Sequence, residues 1–356
     1  MIGCKRTRRL EASRPGQRRG RGPRAWRTLR LCGAAAAGVG AAGCSRQSIL
    51  TTHSKPAHDI ALLWWWMLAA ACVVFFGAVA LLFIAYLRRK VPGLPFVGER
   101  ETLAQAMVLV FGIAVPLVAL VALFVVADVY LVSQTSAPDP RTTRMTIHVI
   151  GHQWWWEVRY PGTDVVTANE IHIPIDTRIN LVATTADVIH SFWVPALNRK
   201  IDMIPGRRNR ILLESDATGI FRGQCSQFCG FQHAHMSMRV FAQTPAKFRA
   251  WLSNQEKPAA SPVGPAAQLG KRDFMSDQCE SCHTIAGTAA RGLVGPNLTH
   301  LATRTSLAAD MIPNTPYWLR RWITNPQAIK PGARMPDLGL PRSQIADIVA
   351  YLDQLK

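Results

Sequence analysis

The sequence predicts a multidomain chain: a two-helix transmembrane hairpin, a small all-β domain and a small helical domain at the C-terminus. Two apolar runs, 60–87 and 103–132, each exceed the ~20 residues that a membrane-spanning helix needs. Between 144 and 250, short β-branched stretches such as Met145–Ile150 and Glu170–Ile175 alternate with the turn pairs Pro161-Gly162 and Pro205-Gly206, the pattern of a small sandwich or barrel. A Pro/Ala-rich segment at 253–268 then leads into a cysteine–histidine motif flanked by helical stretches, the last at 342–355.

Taken in order, residues 1–30 hold eleven basic residues against one acidic, so more than half of the net charge of +19 sits there. The rest is only moderately basic, which excludes a nucleic-acid-binding reading of the whole. The apolar Ala/Gly run at 31–44 follows that basic region and ends on Cys44, so 1–44 reads as a targeting segment. It is similar to a bacterial lipoprotein signal, whose cleavage would leave Cys44 as a lipidated first residue. Residues 58–133 form the hairpin. Arg88, Arg89, Lys90 and Arg100 in its short connection mark that side as cytoplasmic. Everything after residue 133 is then expected on the outer face of a bacterial plasma membrane. Trp64, Trp65 and Trp66 suit an aromatic belt near the outer surface, Pro116 is a kink candidate, and Glu101 reads as a solvated charge at a helix end.

The all-β region, 141–252, carries thirteen basic and eight acidic residues. Its chemistry gathers in one stretch, Cys225-Ser226-Gln227-Phe228-Cys229-Gly230-Phe231-Gln232-His233-Ala234-His235-Met236. Thiolate, imidazole and thioether without carboxylates suit copper. Two thiolates suit two bridged ions, which calls for a second histidine, and His190 in His190-Ser191-Phe192-Trp193-Val194-Pro195 is the candidate. A disulfide or a zinc site leaves Met236 and the His190 motif unused. His235 reads as a loop residue and Met238 as packing.

These two motifs resemble the copper A site of cytochrome c oxidase subunit II, over roughly 58–250. The resemblance implies a cupredoxin-like Greek-key fold and a binuclear copper A centre. Cys225 and Cys229 would bridge two copper ions, His190 and His233 would be terminal ligands, Met236 a weak axial ligand, and the Gln227 backbone carbonyl the last. The family often has Glu at the Gln227 position, where its carboxylate also reaches magnesium. Gly151-His152-Gln153-Trp154-Trp155-Trp156 matches too, and it implies that Trp154 relays electrons while Trp155 and Trp156 pack. Asp187 and Asp202 occupy supporting positions.

Beyond the linker, Cys279-Glu280-Ser281-Cys282-His283 is a c-type haem attachment pattern. Two thiols on one helical turn reach the haem vinyls, and the adjacent imidazole faces the iron. With Gly295-Pro296-Asn297-Leu298 downstream, 269–356 resembles an all-α class I cytochrome c. The resemblance implies one covalent haem c, with Pro296 orienting His283 and Met335 as sixth ligand. Met311 is the rival, and Met275 lies too close before the attachment site.

The three parts together resemble subunit II of a caa-type oxidase. That implies an electron path from an external donor, such as a soluble cytochrome, through haem c and copper A to the haem–copper subunit I that reduces oxygen. Subunit III and membrane lipid are further expected partners, and nucleic acid is not. The alternatives are the electron-input subunit of a nitric oxide reductase and, in a different class, a membrane-tethered copper-delivery protein. A nitrous oxide reductase needs a second, histidine-rich copper domain that the sequence lacks.

Overall fold

The computed structural model describes residues 47–89 and 101–356. The expected targeting segment, Cys44 and most of the hairpin connection lie outside the described residues. Helix α1, Lys55–Arg88, starts where the Ser54 hydroxyl accepts from the Ala57 amide, with Pro56 in its first turn, a conventional helix start. Lys55 pairs with Asp59 one turn on, 2.6 Å apart. These polar ends extend the helix beyond the apolar run 60–87. Helix α2, Glu101–Thr135, likewise exceeds 103–132. It widens into π-helical turns at Val110–Ala114, just before Pro116, whose ring lacks the amide that would continue the α ladder. Most of the side chains of both helices are exposed, as lipid-facing surfaces are.

The outer helix ends grip the β domain. The His53 amide donates to Ala196 O at 2.9 Å and Ser54 Oγ to Leu197 O at 2.5 Å. At the end of α2, Arg199 Nε donates to Thr135 Oγ1 at 2.9 Å and its Nη2 to Ser136. The domain itself comprises β1 Met145–His152, β2 Trp155–Arg159, β3 Val166–Ala168, β4 Glu170–Pro174, β5 Ile179–Thr185, β6 His190–Trp193, β7 Ile201–Met203, β8 Asn209–Leu213, β9 Gly219–Cys225 and β10 Ser237–Gln243. One sheet has the order β3-β2-β1-β5-β8 and the other β4-β10-β9-β6-β7. β1 with β5 and β4 with β10 are parallel pairs, so the chain crosses between sheets rather than meandering.

Alternate residues of β1, among them Ile147 and Val149, point into a single core shared with Ile171 and Ile173 of β4, Leu181 of β5 and Val240 of β10. That core makes the two sheets a sandwich. β4 is buried on both faces because helix α3, Pro245–Gln255, covers its outer side. There His172 lies between Phe241 and Trp251, with ring centroids 4.7 and 4.0 Å away.

The linker is shorter than expected and not free. α3 runs to Gln255 and α4, Pro265–Ser276, begins at Pro265, leaving 256–264. That segment is strapped to the C-terminal domain. The Ala259 amide donates to Ala286 O at 3.0 Å, the Val263 amide to Gln354 Oε1 at 2.8 Å, and His300 Nε2 lies 3.0 Å from Lys257 O. Its prolines set an extended path, while the amides of Glu256, Lys257, Ala259 and Val263 are taken up by protein.

The C-terminal domain continues with α5 Cys279–Cys282, the two-residue strands β11 Ser306–Leu307 and β12 Ile312–Pro313, α6 Pro316–Thr324, α7 Pro326–Ile329 and α8 Arg342–Leu352. α4 and α8 cross in direct backbone contact at Gly270, where an added Cβ would lie 1.8 Å from Asp347 O. Phe274 and Tyr351 pack beside the crossing, 6.0 Å between centroids.

Candidate metal centre and haem cleft

The end of β9, the start of β6 and the loop between β9 and β10 converge on one group of soft donors. The sulfurs of Cys225 and Cys229 are 3.8 Å apart. His190 Nδ1 lies 3.9 Å from Cys225 Sγ, and His233 Nδ1 3.6 Å from Cys229 Sγ. Met236 Sδ stands 3.8 Å from Cys229 Sγ, and Gln227 O 3.2 Å from Cys225 Sγ. All six donors expected from the sequence are therefore in one cluster. Cys225, Cys229, His190 and Met236 are buried. The contact with Cys229 lowers the Cys225 thiol, and the same contact together with burial pushes Cys229 up, as expected of two thiols sharing a proton. Removing that second proton calls for a cation between them. The donor set fits copper.

His235 turns away, its Nδ1 2.7 Å from Gln232 Oε1, and Met238 is fully buried in the sandwich core. Asp187 supports rather than joins the cluster. Its Oδ1 is 2.8 Å from His190 Nε2, which fixes the ring with Nδ1 toward the sulfurs. Burial raises the Asp187 carboxyl, but His190 and the Gln153 and Val188 amides outweigh it and hold it at about 2.

Trp154 stands next to this cluster. Its indole N–H donates to Cys229 O at 3.0 Å, and Gln153 Nε2 donates to the same oxygen at 2.9 Å. Gly230 is required here twice over. Its φ is +110°, and an added Cβ would sit 3.2 Å from Trp154 Cζ2. Trp156 is fully buried in the core, and Trp155 stacks on His152 at 4.3 Å.

In the C-terminal domain, Cys279, Cys282, His283 and Met335 line one open cleft with Phe274, Leu301 and Ile348. His283 Nδ1 is 2.7 Å from Pro296 O, which leaves Nε2 for a metal. Gly295 lies flat against that ring, since a Cβ there would be 2.5 Å from His283 Cε1. Met311 and Met275 pack against the domain core and are not among the cleft-lining residues. Apolar walls, a thiol pair, one oriented imidazole and one thioether fit a haem. Gln327 braces the Met335 loop, its Nε2 donating to Ala333 O at 2.8 Å and Met335 O at 3.0 Å.

Sequence reasoning gave no account of how the two domains meet. The cleft reaches Gln153, Trp154 and Trp155 of the β domain. Gly332 rests on Phe231 and Trp154, its would-be Cβ 3.6 and 3.7 Å from their rings. Gln232 Nε2 donates to Pro331 O at 2.7 Å, and Arg334 pairs with Asp187 at 3.4 Å. Further out, Asp310 pairs with Arg222 at 3.3 Å and Arg239 at 2.5 Å. Glu170 Oε1 accepts from the Thr305 amide and hydroxyl at 2.7 and 2.6 Å.

A sandwich presenting clustered thiolates, imidazoles and a thioether, joined to a cytochrome c-like cleft and to two membrane-length helices, defines a membrane-anchored copper- and haem-binding redox protein. The chain belongs to the cytochrome c oxidase subunit II family and carries a C-terminal cytochrome c domain. The model of the cytochrome c oxidase subunit II periplasmic domain matches residues 163–243 and that of cytochrome c matches 267–356. The chain is 30% identical over 284 residues to cytochrome c oxidase subunit 2 of Alkalihalophilus pseudofirmus, covering 78% of this chain and 81% of that one. It is 30% identical over 264 residues to the same subunit of Bacillus sp. strain PS3, covering 70% and 72%. Among solved structures, the periplasmic domain of subunit II of cytochrome oxidase from Bradyrhizobium japonicum is 33% identical, covering 32% of this chain and 94% of that one at a TM-score of 0.31. The chain is thus part of a haem–copper oxidase complex, associates with its catalytic subunit, and serves electron input with copper and haem c.

Proposed function

We propose that electrons pass singly from an external donor through haem c, held by Cys279, Cys282, His283 and Met335, to a two-copper centre. That centre is held by His190, Cys225, Gln227 O, Cys229, His233 and Met236, and it delivers to the catalytic haem–copper subunit. The groups supply one-electron exchange when bound. The chain supplies their placement. Cys225 and Cys229 are spaced to bridge, Asp187 aims His190, and Pro296 aims His283. A soluble cytochrome would dock on the C-terminal domain, and subunit III completes the complex.

The observation that carries this reading is Trp154. Its indole is bonded to the carbonyl of Cys229 and covered by Gly332 of the Met335 loop. One aromatic therefore touches both ligand loops, so Trp154 relays between the chain's own two centres rather than from a soluble donor. Low-temperature electron paramagnetic resonance on the copper-loaded full chain tests the metal assignment. One unpaired electron shared equally by two coppers is expected. A single-copper signal would remove the two-copper centre and with it the path.

A further inference from the structure

Among the described residues Lys330 is the only buried lysine, 3% exposed. Its Nζ donates to Trp154 O at 2.8 Å, His235 O at 2.8 Å and Ala308 O at 3.0 Å. An ammonium has three donors, and here all three go to carbonyls. Burying a cation without a counter-charge is costly, and a surface lysine would hold two domains together more cheaply. What this arrangement adds is direction. The three carbonyls belong to three different segments: the turn bearing Trp154, the copper-ligand loop between His233 and Met236, and the β11–β12 turn of the haem domain. The lysine itself lies five residues before Met335 and caps α7, its amide donating to Pro326 O at 2.8 Å.

We propose that Lys330 is a positioning residue for electron transfer within this chain, its ammonium pinning the Met335 loop, Trp154 and the copper-ligand loop at one fixed separation. This rests on the electron path given above. The Asp310 pairs and the Glu170 contacts keep the haem domain attached when Lys330 is replaced, so a variant changes position rather than attachment. The step is the movement of one electron from ferrous haem to the oxidised copper pair. No bond forms or breaks, and no proton is needed.

The test uses the full chain in its oxidase complex, with haem c reduced by a flash-excited ruthenium dye and both centres followed optically. Lys330→Met is expected to slow haem c oxidation by copper about tenfold or more, given how steeply rates fall with small misplacements. The copper resonance signal should stay as it was. Both midpoint potentials are measured alongside, because losing a buried positive charge lowers a nearby potential, and the slowing should exceed what those shifts account for. The slowed rate should fall further as glycerol raises viscosity, because a loosened domain must search for its contact. Amide exchange gives a readout independent of turnover. The Ser237 amide, which donates across the interface to Ala309 O, should lose protection while α4 and α8 keep theirs. Should α4 and α8 also lose protection in Lys330→Met, Lys330→Gln carries the same measurements. A wild-type rate with wild-type Ser237 protection overturns the proposal. Haem c that never reduces copper in the unmodified protein would instead overturn the path on which it rests.

Discussion

The sulfurs of Cys225, Cys229 and Met236 stand in successive 3.8 Å steps inside a closed core, whereas His283 and Met335 line the walls of an open cleft. In the first region, hydrogen-bonded strands bring His190 to the loop, since Phe192 of β6 pairs with Cys225 of β9. The proposed ligands are gathered by the same burial that folds the sandwich, so copper would need little rearrangement to bind. In the second region, the helices around the cleft share a buried apolar cluster of their own. Phe274, Leu301, Leu319 and Ile348 of that cluster also line the cleft, so a haem held there would extend the core. On the proposed assignment, strands preorganise the first centre, and the second would add to a core that helices already begin.

The strongest way to break this contrast is to withhold each cofactor in turn. The double variant Cys279→Ala/Cys282→Ala, which cannot attach haem, should leave the C-terminal domain unfolded. Proteolysis should then cut within 256–264 while the copper resonance signal persists. Survival of a protease-resistant C-terminal domain would show that haem is not its core. Next in size, Cys229→Ser should abolish the two-copper signal and leave the haem spectrum and the sandwich intact. Unfolding of the sandwich would mean that its core depends on metal. A smaller effect separates ligands within the cleft. Met335→Ala should keep the haem attached but lower its midpoint potential, because thioether ligation raises it. Met311→Ala, in packing only, should leave the potential unchanged. The reverse outcome would move the sixth ligand to Met311.

The same contrast explains what could be read from sequence. The proposed copper donors lie within twelve residues plus one histidine motif, and the proposed haem donors within one pentapeptide plus a methionine loop, because ligand chemistry demands particular side chains at short spacing. The supporting groups carry no such mark. Lys330, Gln327 and Arg334 look like ordinary surface polar residues until the chain folds, and their partners lie up to 176 positions away in sequence. Gly230 sat in plain view inside the copper stretch, yet its need for a positive φ beside Trp154 is a tertiary fact. The linker misled for a physical reason. Proline content predicts local extension correctly, but it says nothing about which carbonyls will receive the Ala259 and Val263 amides. The membrane helices ran longer than their apolar runs because capping and ion pairing, not hydropathy, set their ends.

The smallest predicted effect sharpens the contrast at the outer face of the sandwich. His172 is stacked between Phe241 and Trp251, and burial lowers its pKa to about 4 from an ordinary 6.5. Glu170 lies 4.0 Å from its Nε2 but is itself pushed up by burial, so it is a weak counter-charge. The folded protein therefore holds His172 neutral where the unfolded chain would protonate it. Its contribution is fully present above pH 6.5 and is lost as pH falls from 6.5 to about 4, amounting to about 3 kcal/mol. Because Glu170 also receives the Thr305 bonds, the weakening reaches the contact with the haem domain. His172→Phe keeps the stack and removes the titration, so denaturant midpoints followed by tryptophan fluorescence should flatten across that window. A slope identical to that of the unmodified chain would place the acid sensitivity elsewhere. A preorganised cage on this account is acid-sensitive at its packed surface, away from its ligands, whereas the haem domain's stability should follow its cofactor at every pH.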